Sequence, residues 1–172
     1  MKKKRAIFFD RDGVLIDAPI LDGKPQSSRE LKNIRLCKDI AKLCKKYKDE
    51  YLLIMVTNQP DYVRKKNTKK NIQIINQYLK KKLNLDDIYV CYSDDDNCFN
   101  RKPNPGMIYE AQKKHNIDLK NSYFVGDRWR DIGAGNRAKC ITIFINRNYS
   151  EKNIFKPKFN VKEINEIVKI IK

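Results

Sequence analysis

Apolar residues along this chain fall into two alternating patterns, short continuous runs and longer stretches at helical spacing. The continuous runs at Arg5–Phe9, Tyr51–Val56, Ile88–Cys91, Ser122–Val125 and Cys140–Ile145 predict five buried strands. Between them, Leu36–Tyr47 places Leu36, Ile40, Leu43, Cys44 and Tyr47 at helical spacing, and Thr68–Leu83 places Ile72, Ile75 and Leu79 on one face. Gly106–His115 predicts a further helix, with Asn104 as its cap and Pro105 at its first position. A short helix near Asp131–Arg137 and a terminal one over about Val161–Ile171 complete the series. Strands without polar alternation, separated by helices, predict an α/β fold: a three-layer, doubly wound, mainly parallel five-stranded sheet. At 172 residues the chain is expected to form one domain, 1–172. The intervals from Asp12 to Thr57 and from Thr57 to Lys102 are each consumed by one helix and one strand. No cap domain is expected, only short loops over residues 18–28 and around Asp94.

Composition narrows the setting. No stretch approaches the roughly 20 apolar residues of a membrane span, and the opening MKKKR runs straight into a strand pattern. A cytoplasmic location and no membrane partner are expected. The formal net charge is +17, from 38 Lys and Arg against 21 Asp and Glu. Its clusters (Lys45, Lys46, Lys48; Lys65, Lys66, Lys69, Lys70; Lys80 to Lys82) fall on predicted helix surfaces without interleaved aromatics, so they read as solvated faces. Nucleic acid is therefore not expected as a partner, although a positive field favours a phosphorylated substrate. A monomer is expected. Cys37, Cys44 and Cys140 sit inside apolar patterns and read as core residues, and reduced thiols are expected throughout.

Four polar segments each follow an apolar run: FFDRDGVL at 8–15, IMVTNQ at 54–59, RKPNPGM at 101–107 and FVGDRWRD at 124–131. In an open α/β sheet such positions gather at the carboxyl ends of the strands, where ligands bind. Asp10 and Asp12 stand two apart after the first strand, and an extended chain aims both carboxylates to one side. Converging carboxylates need a cation or a shared proton, and an oxygen-only ligand set suits Mg²⁺. Taken alone, Asp12–Gly13 also reads as an Asx turn. Asp127 and Asp131 supply a second acidic pair. Thr57 and Asn58 place a hydroxyl and backbone amides where a phosphate oxygen can be held, and Lys102, beside Pro103, supplies a point charge. No Gly-rich GxxxxGKS loop is present, so a nucleotide kinase built on that loop is unsupported. His115, at a helix end beside Lys113 and Lys114, receives no catalytic role, and Trp129 reads as wall packing.

DxDGV, a hydrophobic-TN segment, KP and GDxxxD, in that order over roughly residues 5–147, resemble the haloacid dehalogenase superfamily of aspartate-nucleophile phosphatases. In detail, DRDGV, VTNQP, RKPNPGM and GDRWRDI resemble the subfamily IIIA branch of histidinol phosphatases and D-glycero-D-manno-heptose 1,7-bisphosphate 7-phosphatases. The resemblance implies Asp10 as nucleophile, Asp12 as general acid and base, and Mg²⁺ held by Asp10, the carbonyl of Asp12 and Asp127, with Asp131 behind them. It places Thr57, Asn58 and Lys102 on the transferred phosphoryl group, and Gln59, Arg101 and Arg128 with Asn58 on the substrate side. Relatives in the branch often carry a CxH…CxC zinc loop. Here Cys91 and Cys98 remain, but Ser93 and Asn100 replace the other ligands, so structural zinc is not expected. The substrate implied is a phosphorylated sugar, foremost the 7-phosphate of D-glycero-D-manno-heptose 1,7-bisphosphate on the way to nucleotide-activated heptoses for surface polysaccharide, with histidinol phosphate or a polynucleotide end as alternatives served by the same motifs. A non-catalytic phosphate-binding module is the remaining alternative, disfavoured because every motif acid and Lys102 are present.

Overall fold

The computed structural model describes residues 3–172. Its centre is a parallel sheet of six strands, one more than the apolar runs predict. In chain order these are β1 (Ala6–Phe9), β4 (Leu52–Asn58), β5 (Asp87–Cys91), β6 (Tyr123–Gly126), β7 (Ile141–Ile145) and β8 (Phe159–Val161). A separate two-stranded hairpin, β2 (Ile20–Leu21) and β3 (Lys24–Pro25), projects between β1 and the first helix. The order across the main sheet is β5-β4-β1-β6-β7-β8. The chain therefore winds outward from β1 to one edge, returns to β6 beside β1, and winds to the other edge. The crevice between β1 and β6 is the switch point at which open α/β sheets bind ligands.

All four residues of β1 are wholly buried, as a central parallel strand requires. Ile7 and Phe9 pack to one face with Met55, Val125 and Ile143. Ala6 and Phe8 pack to the other with Ile54, Val56 and Phe124. Helices α1 (Ile40–Tyr47) and α2 (Lys69–Leu83) cover the first face, while α3 (Gly106–His115) and α4 (Trp129–Arg137) cover the second. Cys37 and Cys44 lie in the first core and Cys140 in the second.

Several predicted boundaries shift for identifiable reasons. Helix α1 starts at Ile40 instead of Leu36, because Leu36 bridges to Ile16 and the Cys37 amide donates to Leu15 O, which keeps that stretch extended. Thr68 caps α2 by accepting from the Asn71 amide. Pro105, not Asn104, occupies the N-cap position of α3, and the Asn104 amide is turned away to Asp96 O and Cys98 O. The predicted terminal helix is replaced by β8 and a 3₁₀ helix over Ile164–Lys169. There the edge of β7 accepts a further parallel strand, and the three-residue spacing of Ile164, Ile167 and Ile170 suits a 3₁₀ turn. The hairpin turns on Asp22 and Gly23, both at positive φ, which is the mirror-image turn an Asp-Gly pair favours. Among the described residues no helix is long and apolar enough to cross a membrane.

Candidate active site

An open cleft of about 410 Å³ lies over the carboxyl end of β1. It is lined by Asp10, Asp12, Asn58, Lys102, Arg128, Arg130 and Asp131, with Pro25, Gln26 and Ser27 of the hairpin on its outer side. Asp10 follows β1, Asn58 ends β4, and Asp127 and Arg128 follow β6, so parallel register alone carries three of the four motif segments to one edge.

Lys102 is the hub. Only 2% exposed, its Nζ reaches Asp10 Oδ1 and Asp131 Oδ1 at 2.7 Å each and donates to Val56 O at 2.9 Å. Burial disfavours its charge, but the two carboxylates more than offset that and push its pKa upward. Asn58 holds the backbone in place: its amide donates to Lys102 O at 3.0 Å and its carbonyl accepts from the Lys102 amide at 3.1 Å. Asp131 spends its other oxygen on the turn after β6, accepting from the amides of Asp127 and Arg128.

Asp10, Asp127 and Asp131 bring carboxylate oxygens within 4.8 Å of one another, all buried. Burial, then the charge of Asp131, push the Asp10 pKa up to about 6 despite Lys102. Burial likewise raises that of Asp127 well above the ordinary carboxylate range, with Asp131 and Asp10 adding to the effect. Asp127 Oδ1 is buried with no hydrogen-bond partner among the described residues. An unpartnered carboxylate oxygen in an electronegative corner of hard oxygen donors fits a divalent cation such as Mg²⁺. Gly13 makes room for this arrangement: a Cβ there would come within 1.8 Å of Asp127 Oδ2, and its φ of +86° suits glycine.

Asp12 also lines the cleft, anchored by the Ser28 amide at 3.1 Å, Gln59 Nε2 at 2.9 Å and the wholly buried Arg11. Thr57, Gln59 and Arg101 do not line it. The Gln59 amide donates to both Asp12 and the Thr57 hydroxyl, while its carbonyl accepts from Arg11, so it ties the ends of β1 and β4 together. Arg101 turns toward the 93–98 loop, donating to Asp96 Oδ1 and Ser93 O. Arg128 reaches the cleft with its guanidinium forked on Glu151, both contacts 2.7 Å.

Arg130 lies in the FVGDRWRD segment, but no motif position marks it as a site residue. It lines the cleft, forks onto Asp96 at 2.8 and 3.1 Å, and stacks over Trp129, which itself packs on Phe155. Hydrogen bonds from Arg130 and Arg101 pull the Asp96 pKa down to about 2. In the same loop, Cys91 and Cys98 sulfurs lie 3.9 Å apart, while Ser93 accepts from the Asp95 amide and Asn100 donates to Glu110. His115 contacts Asp87, remote from the cleft. Tyr149 and Glu151, whose segment shows no periodicity, also escaped the sequence reading.

Sheet order, switch-point aspartates and a buried lysine between them define a phosphatase of the haloacid dehalogenase type. The family model described as polynucleotide kinase 3 phosphatase matches residues 5–154. A D-glycero-beta-D-manno-heptose-1,7-bisphosphate 7-phosphatase of Helicobacter pylori is 36% identical over 148 residues, 81% of this chain and 82% of its own length. A D-glycero-alpha-D-manno-heptose-1,7-bisphosphate 7-phosphatase of Campylobacter jejuni is 31% identical over 170 residues, 94% of each chain. The chain belongs to this family of haloacid dehalogenase phosphatases. The fold is shared with the crystal structure of D,D-heptose 1.7-bisphosphate phosphatase from B. bronchiseptica complexed with magnesium and phosphate. That likeness has a TM-score of 0.80 at 20% identity, over 96% of this chain and 97% of that one.

Proposed function

We propose that this phosphatase uses Mg²⁺ and Asp10 to remove the 7-phosphate of D-glycero-D-manno-heptose 1,7-bisphosphate. The observation that carries this reading is the buried Asp10–Lys102–Asp131 chain beside an Asp127 oxygen left without a partner among the described residues. The heptose substrate is supported by relatives above 30% identity that cover most of the chain.

In this reading Asp10, Asp127 and the carbonyl of Asp12 would hold the cation, with Asp131 orienting Lys102 behind them. Bound Mg²⁺ supplies the positive charge that lets an anionic nucleophile and an anionic phosphate approach. The Asp10 carboxylate attacks phosphorus, the bond from phosphorus to the sugar oxygen breaks, and Asp12 delivers its proton to that oxygen. Asp12, now a carboxylate, then takes a proton from the water that cleaves the aspartyl-phosphate. Asn58 and Lys102 border the transferred group, with Asn58 setting the height of Lys102, while Thr57 lies beneath the cleft and supports it through Gln59. Arg128 and Arg130 bring positive charge to the cleft wall that would favour a second anionic group of the substrate, their forks being held in place by Glu151 and Asp96. Gln59 and Arg101 support from behind, Gln59 through Asp12 and Arg101 through Asp96. The 93–98 loop is read as shaped by hydrogen bonds and not by zinc, since Ser93 and Asn100 are committed to other partners.

The test is phosphate release, with and without Mg²⁺, from both anomers of heptose 1,7-bisphosphate, fructose 1,6-bisphosphate, histidinol phosphate and a 3′-phosphorylated oligonucleotide. Selective, Mg²⁺-dependent turnover of one heptose anomer, abolished in Asp10→Asn, is expected. Turnover of the oligonucleotide alone would replace the sugar reading, and no turnover of any substrate would leave a binding module.

A further inference from the structure

The segment after β7 takes no part in the proposed reaction, yet it touches the loop after β1, the hairpin and the turn after β6. Arg147 Nε donates to Gly13 O at 3.1 Å and the Ser150 amide to Gly23 O at 2.9 Å. Glu151 forks onto Arg128. Between them, the Tyr149 hydroxyl donates to Asp127 Oδ2 at 2.7 Å. The other oxygen of that carboxylate, Oδ1, is the buried atom with no partner among the described residues. Gly13 closes the space around the bonded pair: a Cβ at that position would lie 1.8 Å from Oδ2 and 2.8 Å from the Tyr149 hydroxyl.

A free carboxylate rotates and offers either oxygen; a donor fixed to one oxygen decides which is offered. We infer that Tyr149 is a positioning residue for the metal centre, its hydroxyl holding Asp127 Oδ2 so that Oδ1 is presented to a divalent cation. The inference rests on the Mg²⁺ reading above. Partners behind a metal ligand fix its orientation, and their loss typically costs about 10- to 100-fold in affinity. Arg147 and Glu151 anchor the segment on either side of Tyr149, so removing the hydroxyl alone leaves the ring in place.

The experiment is titration of the intact chain with Mg²⁺ by calorimetry, for wild type, Tyr149→Phe and Asp127→Asn, alongside thermal melts without metal. Asp127→Asn is expected to abolish binding, and Tyr149→Phe to weaken it about 10-fold or more while the metal-free melting temperature stays within a few degrees. Wild-type affinity in Tyr149→Phe, together with lost binding in Asp127→Asn, overturns the role of Tyr149 alone. Unchanged binding in Asp127→Asn, or none in wild type, overturns the metal reading as well. A collapse of the metal-free melt in Tyr149→Phe would make the hydroxyl a structural group and also overturn the inference.

Discussion

Asp10, Asp127 and Asp131 share one buried corner because Lys102 sits among them with its ammonium on two of the three. Removing one partner of a buried charged set leaves the rest desolvated and uncompensated, typically at a cost of about 3–5 kcal/mol. Lys102→Met is therefore expected to lower metal-free stability by about that amount at neutral pH. Urea unfolding in the presence of a chelator measures it, and added Mg²⁺ should restore part of the loss. Asp10 and Asp127 were evident in the sequence because strand ends advertise them, and Lys102 because it stands beside Pro103 in the RKPNPGM segment. Arg130 was in plain view within the RWR segment, but only the start of α4 at Trp129 and the fork to Asp96 show that it lines the cleft. Gln59 and Arg101 sit beside motif residues, yet their partners, Arg11 and Asp96, turn them away from the cleft.

Among elements, β5 and the end of α3 are joined through Asp87. His115 Nε2 lies 2.7 Å from it, Lys114 Nζ 2.8 Å, and the Tyr89 hydroxyl 3.0 Å. Burial alone would raise the Asp87 pKa, but hydrogen bonds from Lys114 and His115, with those of the Ile88 amide and Tyr89, bring it well below the ordinary range. A depressed folded pKa contributes stability that is present above the unfolded value near 4 and is lost as pH falls through the folded one. Asp87→Asn is thus expected to cost about 1–3 kcal/mol at pH 7 and progressively less below pH 4, read from denaturant unfolding at both ends of that window. Also at this scale, the Asp-Gly pair at 22–23 carried a hairpin signal, yet two-residue strands are too short for periodicity to register. Strand β8 was hidden similarly: Phe159–Val161 has no strand pattern of its own and is extended because β7 offers it an edge.

Over the whole molecule, the +17 charge surrounds a cleft that carries Lys102, Arg128 and Arg130. A net positive field raises encounter rates with anions and weakens within a Debye length of about 10 Å at 0.1 M salt. Raising salt from about 20 to 200 mM should therefore lower kcat/KM several-fold while leaving kcat nearly unchanged. Steady-state kinetics at fixed Mg²⁺ checks this. A much steeper salt dependence confined to an oligonucleotide substrate would point to phosphate-backbone contacts instead. The succession of strands and helices along the chain follows from sequence through the alternation of apolar runs and helical spacings, and the cleft aspartates Asp10 and Asp127 follow from where those runs end. Both are local signals, written within a few residues of each other. The sixth strand, the cleft-facing choice among several arginines, and the contact of Tyr149 with Asp127 across 22 residues of chain were decided by tertiary structure. A side chain's direction depends on partners brought close only by the folded sheet, and no spacing along the chain records which of them will be in reach.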